Sequence, residues 1–367
     1  MIAIPAAAPH RRFERHRHLL TQAFAEQIDA GQYILGGVVQ QFEQAFAQVI
    51  QAQEAVGVAN GTDALELALR AVGVGAGDLV VTVSHTAVAT ATAIRRSGAE
   101  PRFVDVDENG QIDTSALSRT MAAVRPAALV VVPLYGAPPD MGEVQKIAQR
   151  HQVPVVCDAA QAHGALFDGR PLTAFCAAAS YSFYPTKNLG IPGDGGAVCS
   201  DDPKIATRVR ALRQYGWDEQ RISHETGMNS RLDSAHAALL LRLLPFLAAD
   251  NQRRRNIAAR FDEALRGSRV RPLAATPKAL PVYHQYVVRS DARNRLSAYL
   301  HEHGIGTLVH YATPCHRQPA YCDESLLAVG PLTVTESLCN QILSIPVYPE
   351  LTDTEVGMIA DALHRFR

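Results

Sequence analysis

The first half of the chain repeats one hydrophobic pattern. A short apolar run ends in a polar turn, and a longer segment follows in which apolar side chains recur three and four positions apart. The run at 55–59 leads to a segment with Leu65, Ala68, Leu69 and Val72 on one stripe. Runs at 79–83, 101–106 and 127–134 lead to segments at 86–97, 114–124 and 141–150. The run at 153–157, Val-Pro-Val-Val-Cys, is apolar throughout, as a strand buried on both faces requires. Repeated strand–helix units of this length predict an α/β fold with a mostly parallel, doubly wound sheet, whose ligands bind at the carboxyl ends of the strands. The glycines at 73, 75 and 77 precede the strand at 79–83. That is the wrong order for a dinucleotide fingerprint, and they read as a helix end and a turn.

The flanks carry other periods. A helix is expected over 13–30, with Leu20, Phe24 and Ile28 inward, then a break at Gly36-Gly37 and a second helix at 38–47. Beyond a helix at 202–214, a leucine-rich helix from 239 to 247 kinks at Pro245 and runs on towards Leu265, with Arg253, Arg254 and Arg255 on a solvated face. A strand at 282–289, a helix at 293–303 and a final helix complete the chain. The last is opened by the capping box Thr352-Asp-Thr-Glu355, with Val356, Ile359 and Leu363 inward. The boundary falls near 246–256, which divides the chain into a large domain at 1–250, including the N-terminal helical segment, and a smaller C-terminal α+β domain at 251–367.

Composition narrows the function classes. The 367 residues are 47% hydrophobic and 19% charged, with a formal net charge of -1. That balance lacks the basic face a nucleic-acid partner needs, and the basic run at 10–18 reads as a solvated helix face. Cysteines 157, 176, 199, 315, 322 and 339 form no C-x-x-C pair, so reduced thiols in a cytoplasmic protein are expected. The fourteen histidines show no zinc spacing, so no metal is expected. The apolar N-terminus lacks a preceding positive region and is interrupted by Pro5, so neither a secretory signal nor a membrane span is expected.

Three places carry chemistry. In Ser180-Tyr-Ser-Phe-Tyr-Pro-Thr-Lys187, a short strand enters a Pro-Thr turn that presents one lysine beside Tyr181, Phe183 and Tyr184. Glycines at 190, 193, 195 and 196 follow. A lysine held this way suits Schiff-base chemistry. Gly61-Thr62 opens a helix after a strand, offering unpaired N–H groups and a hydroxyl to a phosphate. Asp158 ends the strand at 153–157, where a carboxylate wants a cationic partner. Singly, the first two read more readily as a surface lysine and an ordinary helix cap, and Asp158 equally well as a capping aspartate. Together they match the aldehyde, phosphate and ring nitrogen of pyridoxal 5′-phosphate (PLP).

The same residues resemble a known family, the DegT/DnrJ/StrS sugar-nucleotide aminotransferases among the fold-type-I PLP enzymes. The resemblance runs through Phe42-Glu-Gln-Ala-Phe46, Asn60-Gly-Thr-Asp-Ala-Leu65, Thr86-Ala-Val-Ala-Thr90, Leu134-Tyr-Gly136, Asp158-Ala-Ala-Gln-Ala-His-Gly-Ala165, Ser182-Phe-Tyr-Pro-Thr-Lys-Asn-Leu-Gly190, Gly193-Asp-Gly-Gly196 and Asn229-Ser-Arg-Leu-Asp233. It implies a homodimer with active sites at the interface, and transfer of an amino group from glutamate to a keto sugar nucleotide in amino-deoxysugar biosynthesis. The Asn229–Asp233 stretch looks like members that aminate C3 of a 6-deoxyhexose. Carried over by position, Gly61, Thr62 and Ser182 would bind the cofactor phosphate, Asp158 the ring nitrogen and Gln161 the 3′-oxygen. Lys187 would be the imine lysine and general base, and Asn229 would reach the phosphate from the neighbouring subunit. His163 and Tyr311 are the residues expected near the sugar. Two positions depart from the pattern. Ala87 stands where many members place an aromatic ring over the cofactor, leaving His85 as the expected substitute, and His236 replaces a usual glutamine. Rival readings are an inosose aminotransferase, a regulatory protein that binds PLP without catalysis, and a family dehydratase, against which Lys187 argues.

Overall fold

The computed structural model describes residues 3–323, 326 and 330–366. Three helices come first, α1 (Pro9–Arg15), α2 (Arg17–Asp29) and α3 (Gly37–Ile50). Strands then alternate with helices in the predicted order: β1 (Glu54–Val58), α4 (Gly61–Ala71), β2 (Leu79–Val83), α5 (Val88–Arg96), β3 (Glu100–Val104), α6 (Thr114–Ala123), β4 (Ala128–Val131), α7 (Met141–Arg150) and β5 (Val155–Asp158). A hairpin of β6 (Leu166–Phe167) and β7 (Arg170–Pro171) precedes β8 (Ala178–Ser182), β9 (Gly196–Ser200) and α8 (Pro203–Leu212). The large sheet has seven strands in the order β1-β9-β8-β5-β4-β2-β3. The pairs among β3, β2, β4, β5 and β8 are parallel, and β9 pairs antiparallel with both β8 and β1. The expected α/β class with a mostly parallel sheet is therefore found.

Helix α9 (Ser234–Leu243) packs on α2 and α3 against the core of the large sheet. After it come α10 (Leu247–Ala264), β10 (Arg271–Pro272), β11 (Ala279–Leu280), β12 (Tyr286–Arg289), α11 (Arg293–Glu302), α12 (Thr333–Gln341), β13 (Ile342–Ile345) and α13 (Asp353–Arg365), which build the C-terminal lobe. Strands β10, β12 and β13 form an antiparallel sheet, whereas β11 reaches back to pair with β6. Pro245 lies in the short 3-10 turn that separates α9 from α10, at the expected kink. The capping box at Thr352 and Glu355 forms, and Val356, Ile359 and Leu363 are buried. One core fills both faces of the large sheet, and a second lies between α10, α11, α13 and the small sheet. The N-terminal segment joins that second core: Ile4 and Ala8 pack in it, and Ile4 bridges to Ile305. Among the described residues no helix is long and apolar enough to cross a membrane.

Three sequence expectations are corrected by packing. The helix at 13–30 breaks at His16, and α2 buries Leu20, Ala23 and Gln27 while Phe24 and Ile28 remain exposed. Alanine at the buried position lets α2 lie close to α9. The strand expected over 282–289 begins only at Tyr286, because Val282 and Gln285 donate their N–H groups to the carbonyls of Gly136 and Tyr135. Arg254 is not on a solvated face. It is 2% exposed, and its guanidinium donates to the carbonyls of Tyr283 at 3.1 Å and Val347 at 2.5 Å, tying α10 to the small lobe.

Phe42, Phe46, Tyr181 and Phe183 meet edge to face or offset under β8, with Phe46 fully buried. Replacing Phe46 with Ala is expected to cost about 3–5 kcal/mol in urea unfolding of the cofactor-free protein.

Candidate active site

A cavity of about 310 Å³ opens at the carboxyl ends of β2, β4, β5 and β8. At one end stands the N-terminus of α4. The Asn60 side chain accepts from the Asp63 N–H at 2.9 Å, while the Gly61 and Thr62 N–H groups belong to the first turn, which has no carbonyl of its own to bond. Ser182, the last residue of β8, faces this turn so closely that a Cβ on Gly61 would lie 2.6 Å from the Ser182 Cβ. A Cβ on Gly196 would lie 2.4 Å from the Asn60 carbonyl oxygen. Only glycine lets these backbones approach, and the result is a cradle of donors at the positive end of a helix.

Asp158 ends β5 on the cavity wall. The Thr90 hydroxyl donates to its Oδ2 at 2.7 Å, the Ala160 N–H reaches Oδ1 at 3.3 Å, and the Thr86 and Thr90 hydroxyls are 2.9 Å apart. Burial pushes the Asp158 carboxyl up, while Thr90, the Ala160 N–H and the Lys187 charge oppose that shift. Lys187, half-buried, lines the same cavity, and the turn that presents it is closed by its N–H donating to the Tyr184 carbonyl at 2.8 Å. Burial pushes its ammonium down to about 8, with Asp158 acting in the other direction. Gln161 completes the wall. Its Oε1 accepts from the Tyr135 N–H at 2.7 Å and its Nε2 donates to the Tyr311 hydroxyl at 3.1 Å.

The structure thus brings Gly61, Thr62, Asp158, Gln161, Ser182 and Lys187 to one cavity. Tyr311 adjoins it through Gln161. Asn229 is exposed on the segment before α9 and does not line this chain's own cavity. Two expected residues point elsewhere. His163 is fully buried against Phe46, Tyr181 and Phe183. It is a packing residue, not one that meets a sugar. His85 is also fully buried: its Nε2 meets the Tyr135 hydroxyl at 2.8 Å and its Nδ1 the Cys339 thiol at 3.5 Å. It does not line the cavity and offers no ring to stack there. Tyr181 and Phe183 likewise turn into the core, and only Tyr184 stands at the cavity with Lys187.

Several participants escaped the residue-by-residue reading. Thr86 and Thr90 lie one helical turn apart inside a quoted motif, and that spacing after a strand end was the available signal. Tyr135 and Asp194 lie inside quoted motifs with no signal that singled them out. The segment bearing Tyr311 is docked by Ser84, whose Oγ lies 2.7 Å from His316 Nδ1, while His316 Nε2 lies 3.0 Å from Glu336. Ser84 is fully buried, so this serine–histidine–glutamate chain is a clamp and not a nucleophile.

A phosphate cradle, a buried carboxylate and a lysine with a depressed pKa fit PLP on their chemistry. Comparison with known proteins points the same way. A family model described as the DegT/DnrJ/EryC1/StrS aminotransferase family matches residues 15–364. The chain is similar to a dTDP-3-amino-3,4,6-trideoxy-alpha-D-glucose transaminase of Streptomyces venezuelae, 42% identical over 96% of this chain and 93% of that one. It is similar also to a dTDP-3-amino-3,6-dideoxy-alpha-D-galactopyranose transaminase of Aneurinibacillus thermoaerophilus, 38% identical over 96% of each. The crystal structure of S. venezuelae DesV superposes with a TM-score of 0.94 at 38% identity, covering 99% of this chain and 98% of that one. On a match that spans all but the ends of the sequence, the chain belongs to the DegT/DnrJ/EryC1/StrS aminotransferase family and is a PLP-dependent aminotransferase.

Proposed function

We propose that this enzyme moves the amino group of glutamate onto the C3 keto carbon of a nucleotide-linked 6-deoxyhexose, working as a cytoplasmic homodimer. The observation that carries the reading is the joining of Gly61-Thr62, Asp158 and Lys187 on one cavity, in a chain similar to transaminases named for 3-amino sugars. PLP bound there supplies an aldehyde carbon and an electron-withdrawing ring. Gly61, Thr62 and Ser182 would hold its phosphate, Asp158 its ring nitrogen and Gln161 its 3′-oxygen. Thr90 fixes the Asp158 carboxylate, which keeps a proton on whatever nitrogen it faces. With a pKa of about 8, the Lys187 amine can both take and return a proton near neutral pH.

The dimer is supported from two sides. Asn229, with no place at its own cavity, is free to complete a neighbour's. Phe24, Ile28, Tyr33 and Ile34 leave apolar side chains exposed on and just after α2, a surface that a second copy would cover. The six cysteines are free thiols, which suits a reducing compartment.

The PLP-loaded enzyme should lose its visible absorbance on adding glutamate and recover it with nucleotide-linked 3-keto sugars faster than with 4-keto ones. Recovery by 4-keto sugars alone would remove the C3 assignment, and a Lys187→Ala variant that still transaminates would remove the mechanism. Mixing unfolded and refolded Lys187→Ala and Asn229→Ala chains should restore up to about a quarter of parental activity, since one site of each mixed dimer is intact. No recovery would count against a shared site. Gly61→Ala, which forces a methyl onto Ser182, should raise the Kd for PLP about tenfold or more by equilibrium dialysis.

A further inference from the structure

The basic run at 10–18 has no part in the scheme above, yet one of its members reaches the active-site lysine. On α1, Arg11 bonds Glu355 in both prongs at 2.8 and 2.9 Å, and Arg15 pairs with Asp250 and Glu350 at 2.9 and 3.3 Å. Both are partly exposed. Arg12 faces the other way. It is 5% exposed, and its Nη1 donates to the backbone carbonyl of Lys187 at 2.8 Å. Among the described residues it hydrogen-bonds no carboxylate, and its buried Nε has no partner. Asp250 and Glu350 act on it only through space, and both are already paired with Arg15.

We infer that Arg12 is a positioning residue for Lys187, acting through the lysine's own peptide carbonyl. The inference rests on the reading of Lys187 as the lysine that carries PLP. A guanidinium taken out of water without a carboxylate is poorly explained by packing, which an apolar side chain of the same volume would serve better. What the charge does here is hold one peptide. The Lys187 N–H is bonded to the Tyr184 carbonyl at 2.8 Å, so Arg12 closes the other end of the same residue. Beyond it, the Asn188 side chain donates to Asn251 at 2.7 Å and to the Val282 carbonyl at 2.9 Å. Packing alone does not fix this turn on its outer side. A cavity of about 110 Å³ lies there, lined by Arg12, Pro185, Thr186, Arg254 and His310, and the Arg12 hydrogen bond spans from the N-terminal segment to the lysine loop beside it.

The far end of that segment is tied to the small lobe, where the Gly306 N–H donates to the Ile4 carbonyl at 2.8 Å and Ala8 joins the second core. Arg12 therefore links the small lobe to the backbone of Lys187. The lysine amine must address the reacting carbon in both halves of the reaction, so its placement affects both.

The test uses the PLP-loaded enzyme with Arg12→Met and Arg12→Lys, read by melting temperature, visible circular dichroism of the bound cofactor, and single-turnover rates with glutamate and, in reverse, with 2-oxoglutarate. Arg12→Met is expected to slow both half-reactions about 10–100-fold, the scale of a misplaced reacting group. The glutamate KM should stay within about twofold, because ground-state binding is not what Arg12 provides. The visible dichroism should weaken, and Arg12→Lys should lie between Met and parent. Parental rates and dichroism in both variants, with or without a lower melting temperature, would overturn the inference. Should Arg12→Met fail to fold, Arg12→Lys decides on the same readouts: slower half-reactions with altered dichroism support the role, and parental values overturn it. Lys187→Ala is the control: if it keeps the parental dichroism, the reading of Lys187 fails and the inference falls with it, whereas parental Arg12 variants beside a Lys187→Ala that loses the dichroism overturn the Arg12 role alone.

Discussion

A carboxylate and an amine share a cavity from which much of the water is excluded, and the surrounding structure is arranged to keep both usable. Burial pushes the Asp158 carboxyl up and the Lys187 ammonium down. Each is the other's counter-charge, and the balance is shifted by neighbours that touch only one of them. Thr90 and the Ala160 N–H hold Asp158 towards its charged form. For Lys187 it is the Asp158 charge that opposes burial, and its amine comes down to about 8, close to the point where the proton can leave. A carboxylate whose neighbours favour its charged form, beside an amine whose burial favours its neutral one, is the asymmetry that PLP chemistry needs at its ring nitrogen and its aldehyde.

Four histidines packed in this part of the molecule are shifted in the direction that disfavours their charged form. Burial holds His85 down at about 4, His163 at about 3 and His310 at about 4, and His284 is lowered as well. In all four, burial favours the neutral imidazole, and the Lys187 charge pushes His163, His284 and His310 the same way. The same burial explains why His163 serves the core and not the sugar. Its ring packs among Phe46, Tyr181 and Phe183, under the strand that ends in Ser182.

How much of this was legible in the sequence follows from the range over which each feature is decided. The strand–helix order, the turn at Lys187, the helix start at Gly61 and the strand end at Asp158 are set by neighbours along the chain, and all four appear where the pattern put them. The capping box at Thr352 is equally local. By contrast, Arg12, Arg254, His85 and His163 are polar residues whose burial depends on partners 29 to 254 positions away where a hydrogen bond can be named, and nothing near them in sequence announces it. The phase of α2 also failed. Phe24 and Ile28 have the helical spacing of a core face but lie exposed, and it is Leu20, Ala23 and Gln27 that α2 buries.

The two lobes do not meet the cavity as equals. The large lobe supplies every charged group at its wall, whereas the small lobe reaches it by long tethers. One is the segment from His310 to Thr335, pinned by Ser84 through His316 and by Asp105, which accepts from the Val334 and Thr335 N–H groups at 3.0 and 2.8 Å. That tether presents Tyr311 to Gln161 and thereby orients the residue beside Asp158. The small lobe could not shift without pulling on these hydrogen bonds at the carboxyl ends of β2 and β3. One tether ends on Ser84, two residues before the cavity-lining Thr86 after β2, and the Tyr135 hydroxyl, next to the cavity-lining Leu134 after β4, donates to the His310 carbonyl, so groups that hold the small lobe and groups that line the site are near neighbours in the chain.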